Sequence, residues 1–324
     1  MSAFDRIKQP IADELEQFEH YFRGAMKTNV PLLNLVINYL LKRKGKQMRP
    51  ILVFLTAKLL GTPNSSTYTA AALIEIMHTA SLIHDDVVDD SHERRGFFSI
   101  NAIWKSKVSV LLGDYLLATG LLLAVNHKEY DILHLVSDAV KEMSEGELMQ
   151  IKNSRKLSIS KDEYYEIIRK KTATLISCCS SSGAKSVGAS DEVVNTMRHF
   201  GELLGIAFQI KDDLLDYQIN SLTGKPKGND LKDRKLTLPL IHALEMAEPS
   251  EKKRMLRLLN NSKSHAQEFH DVLDFVVRYQ GLSFAEERMK EYADAALSDL
   301  DQFPNEVIKQ SMREFVEFTI LRNK

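Results

Sequence analysis

The chain has 324 residues, enough for one large domain or two modest ones, and 44% of them are hydrophobic, which excludes a disordered chain and can fill a substantial core. Its 43 basic and 44 acidic residues leave a formal net charge of −1, so there is no electrostatic case for nucleic acid as a main partner. Cys178 and Cys179 are too few for a disulfide framework or a cysteine zinc site and favour a reducing compartment, with the cytoplasm as the default; the N-terminus lacks the basic start and apolar run of a secretory signal.

Glycine and proline are scarce, 14 and 8 in all, and Leu, Ala, Glu and Lys recur at three- and four-residue spacings, so the chain reads as helical nearly throughout. No segment shows sustained strand alternation. In chain order the predicted helices are Pro31 to Lys42, Met48 to Leu60, Thr67 to Asp90, Ile100 to Val125, Glu129 to Lys152, Lys161 to Val187 and Asp191 to Tyr217, with smaller ones to follow. The most apolar stretch, Val108 to Val125, is interrupted by Gly113, Asp114 and Gly120 and reads as a core helix rather than a membrane span. Ser160 with Glu163 fits a capping box, Ser190 precedes an acidic first turn, and Ser250 precedes another charged helical start. One polar interval, Gln218 to Lys235, interrupts the pattern and reads as a functional flap, with Lys225 as a phosphate ligand within it. No composition shift divides the chain, so a single domain spanning residues 1–324 is the simplest expectation.

Two acidic runs carry the chemistry: Asp85-Asp86-Val87-Val88-Asp89 and Asp212-Asp213-Leu214-Leu215-Asp216. On a helix the first, second and fifth residues of such a run lie within about 100° of one another, so three carboxylates share one side. Carboxylates gathered against apolar neighbours need compensating charge. Mg²⁺ suits them, because it takes carboxylate oxygens, water and phosphates, and through it the runs could hold a diphosphate. Basic residues bracket the first run: Lys46 and Arg49 before it, Arg94 and Arg95 just after it. Arg offers a planar fork and Lys a compact charge, so a second phosphate-bearing substrate could bind without metal.

At this point the residues resemble a family, the trans-type (head-to-tail) polyprenyl diphosphate synthases, from about Lys42 to the C-terminus. The motifs that carry the resemblance are Gly45-Lys46-Gln47-Met48-Arg49-Pro50, His78 through Asp89, Arg94-Arg95-Gly96, Lys171-Thr172-Ala173, Phe208 through Asp216, and Leu236-Thr237-Leu238-Pro239, all in family order. It implies an all-α, single-domain helical bundle around a deep central cavity, with the two acidic runs facing each other at its mouth, and a homodimer. It also implies that Asp85, Asp89 and Asp212 are the principal Mg²⁺ ligands for an allylic diphosphate. Asp86, Asp213 and Asp216 would complete the acidic shell through water or indirect contacts. Arg94, Lys171 and Lys225 would hold the same diphosphate; Lys46, Arg49, His78 and Arg95 would receive isopentenyl diphosphate. Thr172 and Gln209 would stabilise positive charge near the reacting carbons, and Lys235 matches a further family lysine. The chain departs from the family pattern at Asp233-Arg234, where Glu-Gly is common, and at Lys44, where a glycine is usual.

Product length is read from Ala80 and Ser81, five and four positions before Asp85, with Met77, Ile76 and Leu73 on earlier turns. Small residues there leave room for a growing tail. From Asp85 back to Thr67 the helix spans roughly 27 Å at ~1.5 Å per residue, a wall for on the order of five or more isoprene units. A long-chain product is therefore expected, as the side chain of a quinone or a lipid carrier, with membrane association for product delivery as an accompanying expectation. Trp104, Phe97 and Phe98 read as core or interface residues. A class I terpene cyclase would share one acidic helix but would not need Lys46, Arg49 and Arg95. A noncatalytic subunit of a heteromeric synthase is opposed by both runs being intact. His84 invites a His-Asp metal phosphohydrolase reading, yet no ordered set of further histidines completes that site.

Overall fold

The computed structural model describes residues 2–42, 45–94, 97–154, 159–217, 235–260 and 265–322, with the backbone alone at 94 and 265–268. The described residues are overwhelmingly helical. They form two compact units, the first made of Met1–Val140, Cys178–Arg198 and Phe303–Met312, the second of Lys141–Ser177, His199–Gln302 and Arg313–Lys324.

The first unit opens with α1 (Ala3–Lys8), a 3-10 turn and α2 (Ala12–Ala25), which precede the first helix expected from sequence. They are held by Phe18, which stacks on Phe22 at 5.6 Å and meets Phe54 edge-on at 5.7 Å, an arrangement that adds to the burial of large apolar surface. Helix α3 (Pro31–Leu41) starts on a proline, and α4 (Met48–Leu60) is buried on all sides from Pro50 to Ala57, so it runs through the interior rather than over it. Helix α5 (Ser65–Val88) begins two residues before the expected start because Asn64 and Thr67 form its capping box, and it ends at Asp89, whose N–H reaches the Asp85 carbonyl. A two-residue hairpin, Glu93–Arg94 paired with Phe97–Phe98, leads into α6 (Ile100–Asn126).

Helix α6 packs against α5 through small residues. A Cβ added at Gly120 would lie 3.2 Å from Leu73 Cδ1 and from Met77 Sδ, so the glycine lets the two helices close on each other. The helix is long and apolar enough to cross a membrane by length and composition, and 33% of its most apolar window is buried within the chain. Sequence reasoning took it for a core helix; the structure leaves Leu111 at 58% and Leu122 at 59% exposure, together with Val110, Leu121 and Val125.

Helices α7 (Tyr130–Ser154), α9 (Thr174–Ser186), α10 (Asp191–Asp216) and α15 (Glu306–Leu321) each contribute residues to both units. The expected helix from Lys161 to Val187 is instead α8 (Lys161–Ile168), one π-helical turn at Arg169–Ala173, and α9. Ser160 and Glu163 do form the capping box, whereas Ser250 lies inside α12 (Pro249–Asn260), one residue after the proline that starts it. Between them α11 (Leu238–Met246) joins the core of the second unit, where Tyr217, Leu240, Leu244, Met255, Phe275 and Val276 cluster. Helices α13 (His265–Arg278) and α14 (Gly281–Asp299) complete that unit. The flap expected at Gln218 to Lys235 lies, apart from Lys235, outside the described residues.

In the first unit the small buried residues of α9 meet α4. A Cβ at Gly183 would sit 2.6 Å from the Val53 carbonyl oxygen and 3.0 Å from Thr56 Cβ, and backbone cannot swing aside. Gly183→Ala is expected to destabilise the protein by about 1–3 kcal/mol, seen as a lower urea midpoint at unchanged slope. Thr56 Oγ1 is buried and has no hydrogen-bond partner among the described residues, so Thr56→Val should be neutral or stabilising by about 1 kcal/mol in the same titration. Cys178 and Cys179 are buried and unbonded to each other; burial pushes the Cys178 thiol up to about 12 and the Cys179 thiol well above its ordinary value. Both thiols should therefore resist iodoacetamide at pH 8 and react only as urea unfolds the chain, as intact mass will record.

Candidate active site

Each acidic run sits at the C-terminal end of a long helix and divides by helical phase. In the first unit Asp85 and Asp89 are exposed, one turn apart, while Asp86 is only 3% exposed and lines a cavity of about 310 Å³. The chain beyond Asp89 is tied back locally: Asp90 takes a left-handed φ of 46°, Ser91 N donates to the Asp86 carbonyl, and Asn101 Nδ2 donates to that carbonyl and to Asp90 Oδ1. His84 turns toward α6, with Nε2 at 3.5 Å from Asp114 and 3.3 Å from the Val110 carbonyl, directly over Gly113; that contact accounts for it without a metal.

The same cavity gathers two residues that the sequence assigned to the second diphosphate, Arg49 and His78, along with Gly45 and Gln47 on either side of the exposed Lys46. Gln47 has φ 51°, so the chain enters α4 through a left-handed residue. Arg49 is aimed by a forked pair, Nε to Glu75 Oε2 at 2.9 Å and Nη2 to Glu75 Oε1 at 3.1 Å. A guanidinium gripped by two of its donors keeps its Nη1 edge for an anion. Phe97 and Phe98, expected in the core or an interface, are exposed at 51% and 61% yet border this cavity. Arg95 lies outside the described residues, as do the side chain of Arg94 and the whole of Lys225.

Along α5, Ala80 is fully buried, Met77 packs against Gly120, and half-buried Ser81 donates its hydroxyl to the Met77 carbonyl at 3.1 Å.

In the second unit a cavity of about 210 Å³ collects Lys171, Thr172, Gln209, Asp213 and Lys235, five residues picked from sequence, with Thr237 of the Leu236–Pro239 motif, and Tyr164 and Gln150, which sequence reasoning did not pick. Tyr164 could have been found from spacing, because it stands seven residues, two helical turns, before Lys171. The π turn that carries Lys171 and Thr172 is clamped from α7: Arg169 pairs with Glu142 at 3.1 Å, Lys170 with Glu145 and Lys171 with Glu147. Gly146 lies among these acids, and a Cβ there would come 2.7 Å from the Lys171 nitrogen; a Cβ at Gly205 would come 2.4 Å from Ala173 Cα. Two helices thus press on the extra residue of the π turn, a feature that recurs at functional sites.

Asp213, 3% exposed, accepts from three donors among the described residues: Tyr164 Oη at 2.7 Å and the Leu238 N–H at 3.1 Å on Oδ2, and Gln209 Nε2 at 3.1 Å on Oδ1. Thr172 Oγ1 donates to Gln209 Oε1 at 2.8 Å. Leu236-Thr237-Leu238-Pro239 is thereby docked onto α10, with a second bond between the Tyr217 and Thr237 hydroxyls at 2.6 Å. Asp212 and Asp216 are half-buried, and Arg322, which sequence reasoning missed, donates to Asp212 Oδ1 at 2.7 Å while its guanidinium lies 3.9 Å from the Phe208 ring centre. Beside them the Lys211 ammonium is held below its usual range by burial and then by Arg322.

Among the described residues no three His, Cys, Asp or Glu side chains converge closely enough to enclose a metal ion by themselves. The donor set is nevertheless all-oxygen, and it fits a hard cation that takes one or two carboxylates and completes its shell with water and phosphate.

Comparison with known proteins agrees with these motifs. Residues 30–276 match the family model described as polyprenyl synthetase. Octaprenyl diphosphate synthase of Haemophilus influenzae is 30% identical over 324 residues, covering 100% of this chain and 98% of that protein. A decaprenyl diphosphate synthase from Rhodobacter capsulatus superposes with a TM-score of 0.92 at 31% identity, covering 99% of each chain. A polyprenyl synthase from Caulobacter crescentus, solved with calcium and isoprenyl diphosphate, gives a TM-score of 0.90 at 31% identity, covering 99% of this chain and 98% of that one. With its motifs in order and its whole length matched, the chain belongs to the polyprenyl synthetase family.

Proposed function

We propose that this prenyltransferase condenses isopentenyl diphosphate with an allylic diphosphate, repeatedly, to make a long-chain all-trans polyprenyl diphosphate. The observation that carries the reading is the cavity of the second unit, which brings Lys171, Thr172, Gln209, Asp213 and Lys235 together in a chain whose relatives include octaprenyl and decaprenyl synthases. Magnesium bound at the two acidic runs, by Asp85 and Asp89 in one and by Asp212 in the other, with Asp86 and Asp216 in support, would supply positive charge to the departing diphosphate. Lys171, with Arg94 and Lys225, binds the allylic diphosphate and stabilises the charge that grows on it as the C–O bond breaks. Thr172 and Gln209 offer oxygen lone pairs to the allylic cation.

Isopentenyl diphosphate is received by Lys46, Arg49, His78 and Arg95; Arg49 is already aimed by Glu75 beside His78 in the first unit's cavity. A cyclase would have no use for this second anion site. The double bond of isopentenyl diphosphate attacks the cation, and a proton is lost to the departed diphosphate. Apolar walls keep water from the cation. Ala80, Ser81 and Met77 set how far the tail can grow. The exposed apolar side of α6 supports a homodimer in the same reading, and the two free, buried cysteines support a cytoplasmic location, with the product handed to a membrane.

Incubating the purified chain with Mg²⁺, isopentenyl diphosphate and allylic primers of several lengths should give products of about five or more isoprene units by mass spectrometry. Failure to elongate any primer would sink the functional reading, and products that stop short of that length would sink its long-chain part. Asp85→Ala and Asp212→Ala should each lower kcat/KM by on the order of a thousandfold. Ala80→Tyr should shorten the product at near-normal first-addition rate; unchanged length in that variant refutes Ala80 as part of the tail's wall.

A further inference from the structure

A carboxylate can only accept when ionised, and an amide is asymmetric. Asp213 Oδ1 therefore takes the Nε2 side of Gln209, at 3.1 Å, because the flipped amide would set two oxygens against each other at that distance. The flip being fixed, Gln209 Oε1 faces Thr172 and accepts its hydroxyl proton at 2.8 Å. Thr172 has one proton and has spent it there. Its oxygen has only lone pairs left to offer the cavity that it lines. Tyr164 Oη, at 2.7 Å, and the Leu238 N–H, at 3.1 Å, bind Oδ2 and so prevent the carboxylate from turning.

We propose that Tyr164 and Asp213 are a positioning pair that sets the direction of the hydrogen bonds through Gln209, so that Thr172 meets developing positive charge with lone pairs and never with a proton. Asp213 then acts through Gln209 and Thr172 rather than as a metal ligand, unlike the outer residues of its run. The inference rests on the proposed condensation and deepens it: it assigns to Tyr164 a part in the cation-forming step and to one of the six acidic residues a task different from the rest.

Asp213→Asn puts an N–H where Oδ1 was. Gln209 must then turn its oxygen to Asn and its Nε2 to Thr172, which frees the Thr172 proton toward the cavity. With isopentenyl diphosphate and an allylic primer, kcat should fall on the order of a hundredfold. Both KM values, the Mg²⁺ concentration for half activation, and the calorimetric affinity for a non-reactive allylic thiolodiphosphate with Mg²⁺ should stay within about twofold. Adding Gln209→Glu restores an acceptor to both neighbours, and the double variant should recover at least about tenfold of the lost kcat. Tyr164→Phe keeps the carboxylate and the fold; its kcat should drop by about tenfold at unchanged Mg²⁺ requirement, as expected for one hydrogen bond to a charged group. A raised Mg²⁺ requirement with no recovery in the double variant overturns the proposal, as does an unchanged kcat in Tyr164→Phe. Inactivity of the wild-type chain condemns the functional reading itself, whereas an active wild type whose Asp213→Asn variant keeps its kcat condemns this inference alone.

Discussion

A buried carboxylate must find donors, and in this chain that requirement organises the residues around the chemistry. Helical phase decides which carboxylate is buried. Within each DDxxD run the first and fifth residues lie about 40° apart on the helix while the second stands about 100° from the first. Asp86 and Asp213, the second members, are each 3% exposed; the outer members are exposed in the first run and half-buried in the second. Six aspartates that look equivalent in sequence are thus two populations. The outer ones keep contact with solvent and so remain within reach of a hard cation. An inner one cannot stay charged without hydrogen bonds, and Asp213 takes them from Tyr164, Gln209 and the Leu238 backbone, which fastens α8 and the start of α11 to α10.

Close backbone approach is the second organising constraint. The π turn at Arg169–Ala173 has an extra residue to accommodate, and glycines at 146 and 205 provide the clearance. Three consecutive cations on that turn meet three glutamates on α7, so the local charge is balanced where the backbone is most crowded. Ion pairs that keep contact with solvent, as these partly buried ones do, contribute little energy one by one. Their value is geometric: they fix the phase of Lys171 and Thr172, neighbours that an uninterrupted α-helix would set 100° apart.

Much of this was legible in the chain. Six of the seven expected helices could be read from periodicity to within a few residues, and the Ser160 and Glu163 capping box stands where the sequence puts it. The π turn was not legible, because apolar spacing runs through Lys161 to Val187 without a break and only packing against Gly146 and Gly205 selects the extra residue. Helix α2 was missed although Phe18 and Phe22 have the right spacing, since its charged residues mask the apolar side. Partners distant in sequence stayed hidden as well: Glu75 for Arg49, Tyr164 for Asp213 and Arg322 for Asp212. Residue type alone left Phe97 and Phe98 open between core and interface; they lie outside the core, exposed and bordering a cavity.

The pairing of Arg49 with Glu75 shows why near-neutral composition is compatible with binding highly charged substrates. A diphosphate needs cations, but an isolated cation in a half-buried cavity would lose hydration with nothing in return. Glu75 compensates the Arg49 charge, takes two of its donors, and leaves a fixed edge for an anion. Lys171 is treated in the same way by Glu147 and Gln150. Attraction to the diphosphate is then smaller than it would be to a bare cation, while the orientation of the fork no longer has to be selected on binding. Such a site favours the species whose charge is concentrated where those edges point. In the proposed condensation that charge grows on the oxygens departing from the allylic diphosphate, so Lys171, pre-aimed and partly neutralised, would stabilise the breaking bond more than the intact substrate.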